Sequence, residues 1–182
     1  MSDRPSNILL DLILKLPAAG ERGFEGLIAE LLEDLTGRHF HLAKSGYQEG
    51  RDMSSRDSYQ NVIAIECKRY QKTTKLDERE LLGELEQVKI GISDLDIWVL
   101  VTSRDVDSKL NESLHRKAAQ DGIDFAVIAD GDGEPSSLAV LCANSSATVT
   151  EFLKPISSDE DLQKLEDELD EIAKQPQFSG KV

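Results

Sequence analysis

Apolar residues along the chain alternate between two periods, and each period marks a different kind of element. Phe24, Leu27, Ile28, Leu31, Leu32 and Leu35 follow the i, i+3, i+4, i+7 spacing of one helix face, which predicts a helix over residues 21–35 ended by Gly37. "RHFHLAK" follows as a first strand, and a polar link leads to a short strand over residues 52–55. A turn at "RDSYQN" then brings in the strongest strand, residues 62–68. A charged stretch, "RYQKTTKLDERE", opens a helix running to about Ile90, and "IWVLVT" is a continuous apolar run of the kind buried on both faces of a sheet.

Asp105 or Asp107 can cap the next helix, "SKLNESLHRKAAQ", which Gly122 ends before the apolar strand "DFAVIA". Strand, helix, strand in this order implies parallel crossover pairs, so the expected fold is an α/β sandwich with a mixed central sheet flanked by helices. "SLAVLCA" is expected to add a last strand at an edge. Leu162, Leu165, Leu169 and Ile172 have helical spacing inside a strongly acidic stretch, which suggests a connector or docking helix rather than core.

Composition narrows the setting. The chain has 182 residues, 39% of them hydrophobic, which is enough for one domain with a real core. Cys67 and Cys142 lie in apolar runs with no zinc-type spacing around them, so neither a disulfide framework nor a structural metal is expected. "ILLDLILKLP" near the N-terminus is broken by Asp11 and Lys15, is half of the roughly 20 residues a membrane span needs, and is closed by Pro17. It predicts a short helix, buried or facing a partner, and the chain is expected to be cytoplasmic, with no membrane association.

A net charge of -14 opposes nonspecific attraction to nucleic acid, but the charge is unevenly spread. Residues 159–171 hold eight acids and one lysine, whereas residues 38–79 hold nine Lys or Arg against six Asp or Glu. A basic island therefore sits in an acidic chain, and it contains the residues with the clearest chemistry.

Strand side chains alternate between faces, so Glu66 and Lys68 share a face with Val62 and Ala64, while Ile63, Ile65 and Cys67 take the other. A symmetric antiparallel hairpin centred on Tyr59 would set Asp52 opposite Glu66, with Cβ atoms roughly 5 Å apart. Two carboxylates at that distance repel by about 3 kcal/mol at an effective dielectric of about 20. Lys68 offsets part of this. A divalent cation held by both acids offsets more, and an all-oxygen site suits Mg²⁺ or Mn²⁺. Glu25, at the boundary of the first long helix's apolar stripe, is a candidate third oxygen ligand, whereas Glu30 and Glu33 project away from it.

The succession "GFEGLIAELL", "GRD", "IECKRY", a helix and "WVLVTS" resembles the PD-(D/E)XK nuclease superfamily, and most of all the restriction-endonuclease domains of the Mrr type. The resemblance spans residues 20–131. The Asp here follows Gly-Arg rather than Pro, as in divergent members. The family's catalytic triplet maps onto Asp52, Glu66 and Lys68, and its helix acid onto Glu25; Gln87 matches a polar position that some members carry on the next helix.

What the resemblance implies is a restriction-endonuclease-like sandwich hydrolysing DNA phosphodiesters with Mg²⁺ (or Mn²⁺). Asp52, Glu66, Glu25 and the backbone carbonyl of Cys67 would hold the metal against a phosphate oxygen. Lys68 would orient or activate the attacking water and offset developing charge. Lys44, Arg51, Arg69, Lys72 and Lys75 are the candidates for contacting the phosphates of duplex DNA. The implied organisation is an N-terminal apolar helix in residues 1–19, a nuclease domain over 20–156 and an acidic helical connector or linker over 157–182. The implied setting is bacterial anti-phage or restriction defence, as a homo-oligomer or as the effector part of a larger polypeptide with a sensor NTPase of the STAND class.

Two rival readings follow from the same residues. One is a module that keeps the fold for binding or scaffolding without metal, and the other is an enzyme of this fold acting on RNA or branched DNA. Other motifs drop out. "DGDG" lacks the Gly and Glu of a calcium loop and reads as a surface turn, and His39, His41 and His115 have no catalytic or zinc spacing. Neither a Walker-type phosphate loop nor a dinucleotide fingerprint is present.

Overall fold

The computed structural model describes residues 7–43, 52–57 and 60–175. Seven α-helices and five strands follow along them: α1 (Ile8–Ile13), α2 (Phe24–Thr36), β1 (His41–Leu42), β2 (Met53–Asp57), β3 (Gln60–Lys68), α3 (Glu78–Gly91), β4 (Ile97–Thr102), α4 (Ser108–Gln120), β5 (Asp124–Ala129), α5 (Ser137–Asn144), α6 (Ser146–Leu153) and α7 (Asp159–Ala173), with a 3-10 turn at Lys154–Ile156 before α7. The strands form one sheet in sequence order, antiparallel from β1 to β3 and parallel from β3 to β5. The protein is thus an α/β sandwich with a five-stranded mixed sheet between helices.

Local signals set most of the boundaries. Gly37 ends α2 at φ 65°, where its amide reaches back to the Glu33 carbonyl, a position that a side chain would strain. The Asp107 carboxylate accepts the Leu110 amide and starts α4. β1 is shorter than the expected strand, but Phe40 beside it is buried.

Alternation along β3 sorts the two halves of the core. Val62 and Ala64 join Leu81, Leu85 and Val88 of α3, Leu110, Leu114 and Ala118 of α4, and Trp98, which stacks on Phe125 at 5.3 Å. Ile65 and Cys67 face α1, α2, α5, α6 and α7 on the other side. β3 is buried on both faces up to Cys67, so its polar end emerges only at the C-terminal edge of the parallel strands.

Two expectations are corrected here. "SLAVLCA" is not an edge strand but helix α5, with the Ser136 hydroxyl capping its start and Leu138, Ala139, Leu141, Cys142 and Ala143 buried. The acidic segment is not a mere connector: Leu165, Leu169 and Ile172 of α7 belong to the same core as α1 and α2, and its acids form the outer face. α1 is the short helix expected, and of its two expected settings it takes the buried one, with Leu9, Leu12 and Ile13 in the core. The Ile8 amide donates to the Glu168 carboxylate at 2.9 Å across 160 positions of sequence.

Candidate active site

The register of β2 on β3 decides whether the two acids meet. Met53 pairs with Ile65, Ser54 with Ala64 and Ser55 with Ile63, and this register, continued by one residue, sets Asp52 opposite Glu66; it shifts between Ser55 and Asp57, so the ladder is not the symmetric one expected. Asp52 lies just ahead of β2, where its own amide donates to the Ile65 carbonyl at 2.9 Å and its carboxylate accepts the Cys67 amide at 2.6 Å. The acid is therefore fixed by the strand that carries Glu66.

Both acids are buried, Asp52 at 5% exposure and Glu66 at 3%. Burial, followed by the charge of Glu66, raises the Asp52 pKa far above the ordinary carboxylate range, and the Cys67 amide only partly opposes this. Burial also raises Glu66, against the pull of Lys68. The two carboxylates are thus held together at a cost in charge that their surroundings do not fully offset.

Lys68 follows on the same face. Its position is fixed through β4, since the Thr102 hydroxyl donates to the Lys68 carbonyl at 2.9 Å. Its Nζ lies 2.7 Å from Glu66, 2.9 Å from Glu80 and 3.6 Å from Glu84. Burial alone would lower the pKa of this amine, but the bonds to Glu66 and Glu80 outweigh it and the net shift is upward. Lys68 is thus held as an ammonium between the acids of β3 and α3.

Glu25 comes from the opposite layer. The turn before α2 packs closely, with the Phe24 amide on the Pro17 carbonyl at 2.8 Å and no room for a Cβ at Gly26, which would lie 2.1 Å from the Glu21 carbonyl oxygen. Glu25 is buried there, and its carboxylate accepts the Gly20 amide at 2.8 Å, with Gly20 at φ 87°. Its charge acts on both Asp52 and Glu66, but one of its oxygens is committed to this turn. The Cys67 side chain points into the α1–α2 half of the core, so only its backbone can reach the acids.

The expected phosphate contacts fare unevenly. Lys44 and Arg51 lie outside the described residues. Arg69 donates from Nη1 to the Leu14 carbonyl at 3.2 Å, and its Nε is buried with no partner among the described residues. Lys72 binds Asp11 of α1 at 2.6 Å while staying exposed to solvent, so both Arg69 and Lys72 have partners on or next to α1. Lys75 is exposed, as is Gln87, one turn beyond Glu84 on α3.

Sequence reasoning missed Glu80 and Glu84. Their signal is the i, i+4 spacing of two acids on the helix that follows the Lys68 strand, which presents both to one side. Tyr70 adds to this wall: its hydroxyl donates to Glu80 at 3.0 Å, and its backbone is pinned to Ser103 Oγ by bonds of 2.9 and 3.0 Å.

Among the described residues no three of the His, Cys, Asp and Glu side chains form a ready cation site. The buried Asp52 and Glu66 pair by itself is an all-oxygen donor set of two carboxylates. That fits a hard cation such as Mg²⁺, which uses one or two carboxylates and keeps several waters. No protein-family model matches the chain, and no curated protein matches it either. No helix among the described residues is long and apolar enough to cross a membrane.

Proposed function

We propose that this chain is a Mg²⁺-dependent (or Mn²⁺-dependent) endonuclease that hydrolyses DNA phosphodiester bonds, with a fold of the restriction-endonuclease type. The observation that carries this reading is the buried pair Asp52 and Glu66, joined across β2 and β3, with Lys68 on the same face two residues on. A bound divalent cation would supply charge neutralisation and polarise the scissile phosphate.

Asp52 and Glu66 are the residues that would hold the cation, with Glu25 adding its field from α2 and the Cys67 carbonyl as a further oxygen. Their burial favours this role, because a cation would add the charge stabilisation that Lys68 gives Glu66 only in part. Lys68 stays charged, and its part is to orient the attacking water and to offset charge on the phosphate. Lys75, and Lys72 once released from Asp11, would contact the DNA backbone.

By its resemblance to Mrr-type domains, the protein is assigned to bacterial defence in the cytoplasm, as a homo-oligomer or as the effector region of a larger sensor polypeptide. A net charge of -14 opposes attraction to the DNA backbone, which agrees with activity that depends on gathering several copies.

The test is plasmid cleavage with Mg²⁺, with EDTA and with Lys68→Ala, at several protein concentrations. Metal-dependent nicking or cutting that disappears in Lys68→Ala supports the reading. A second reading, a binding or scaffold module without catalysis, is favoured by one observation: acids surround Lys68 on every side described above. It predicts no cutting and no Mg²⁺ binding that depends on Asp52. Parallel assays on RNA and on branched DNA distinguish the substrate classes.

A further inference from the structure

We propose that Glu80, braced by Tyr70, is a clamp that withholds Lys68 from substrate, so that the site works only after this contact is broken. The inference rests on the nuclease reading and concerns the regulation of that same site.

An ammonium has three N–H groups, and Lys68 faces three carboxylates, two at hydrogen-bonding distance and one at 3.6 Å. Glu66 and Glu80 take two of the three N–H groups, and Glu84 stands near the third. A phosphate or water that needs more of the ammonium than that one direction must displace Glu66 or Glu80. Glu66 is buried and sits two residues away on the same strand, so it stays. Glu84 is the most distant of the three. Glu80 is the most exposed, at 42% of its side chain, and stands on the first turn of α3 at the open side of the site.

Glu80 is also the most firmly held of the two α3 acids. The same oxygen, Oε1, takes both the Lys68 ammonium and the Tyr70 hydroxyl. Tyr70 in turn is fixed by Ser103, which both accepts its amide proton and donates to its carbonyl. The arrangement parks a negative charge over the lysine that the proposed reaction uses beside its metal ion. An incoming phosphate meets that charge before it meets Lys68, and repulsion between like charges raises the barrier to entry.

The experiment compares Glu80→Gln, Glu80→Ala and Tyr70→Phe with wild type and with Glu78→Gln, which removes a charge from the same exposed turn without touching Lys68. Two readouts are taken: acylation of Lys68 by an amine-reactive ester in metal-free protein, followed by mass spectrometry, and the initial rate of Mg²⁺-dependent plasmid cleavage. The clamp predicts that Glu80→Gln and Glu80→Ala raise both by about two- to fivefold, as expected for loss of a half-exposed ion pair. Tyr70→Phe should move both in the same direction, and Glu78→Gln neither. Unchanged Lys68 acylation with cleavage equal to or below wild type overturns the clamp and leaves the nuclease intact. Raised acylation with no cutting by any form overturns the nuclease reading, and the regulatory role falls with it.

Discussion

The Asp52 carboxylate accepts the backbone amide of Cys67 at 2.6 Å, the residue that separates Glu66 from Lys68. An acid fifteen positions upstream is thereby tied to the strand that supplies the rest of the site, and its placement does not depend on a side-chain partner.

Asp52→Asn retains that hydrogen bond in one amide orientation and removes the charge. With Mg²⁺ the variant should fold normally yet lose about 10²-fold or more in cleavage rate, the scale seen when one group stabilising a charged transition state is lost. Isothermal calorimetry should show Mg²⁺ binding weakened in step. Full activity in Asp52→Asn would remove Asp52 from the metal site.

The pH dependence of stability follows from the raised pKa values of Asp52 and Glu66. A carboxyl whose pKa is higher folded than unfolded stabilises the fold below the unfolded value, about 4, and that contribution disappears as pH rises through the folded value. Without metal, the melting temperature should therefore fall between pH 5 and pH 8, because burial resists the charging of both acids. Mg²⁺ should restore stability at pH 8 and have little effect at pH 5. Trp98, fully buried and the one tryptophan of the chain, reports the transition by fluorescence. A metal-free protein equally stable at both pH values would contradict this.

Helix α7 is expected to matter to stability as much as any core helix. Leu169→Ala deletes a fully buried side chain and should cost about 2–5 kcal/mol by chemical denaturation. Glu166→Ala, on the exposed side of the same helix, should change stability by no more than about 0.5 kcal/mol. A small effect of Leu169→Ala would mean that α7 is not part of the cooperative unit.

Gly26→Ala tests the turn that holds Glu25. A Cβ there would lie 2.1 Å from the Glu21 carbonyl oxygen, so backbone must shift, at a cost of about 1–3 kcal/mol. The Gly20 bond to Glu25 should loosen, and cleavage should fall by more than the folded fraction does.

The register at the site end of the hairpin was legible because it needs only counting, which sets Met53 against Ile65 and so Asp52 across from Glu66, with Lys68 on the same face by alternation; the shift between Ser55 and Asp57 leaves no mark in the sequence pattern. α5 was not legible, because five of its eight residues are buried and such a helix has no polar side to show a period of 3.6. α7 showed its helical spacing, yet its eight acids concealed that the leucine stripe is core. The hold of Glu80 on Lys68 spans twelve positions and depends on where α3 packs, which no local pattern encodes. Arg69 and Lys72 look like free cations in sequence for the same reason, and α1 takes both.

The bond between Ile8 and Glu168 closes the described part of the chain into a near ring. A circular permutant in which a linker joins the start of α1 to the end of α7, and new ends open at the surface bend over residues 131–135, would leave β2 and β3 uncut and keep the sheet continuous. Tolerance of that rearrangement would show that the order in which the helices are made is not what assembles the core.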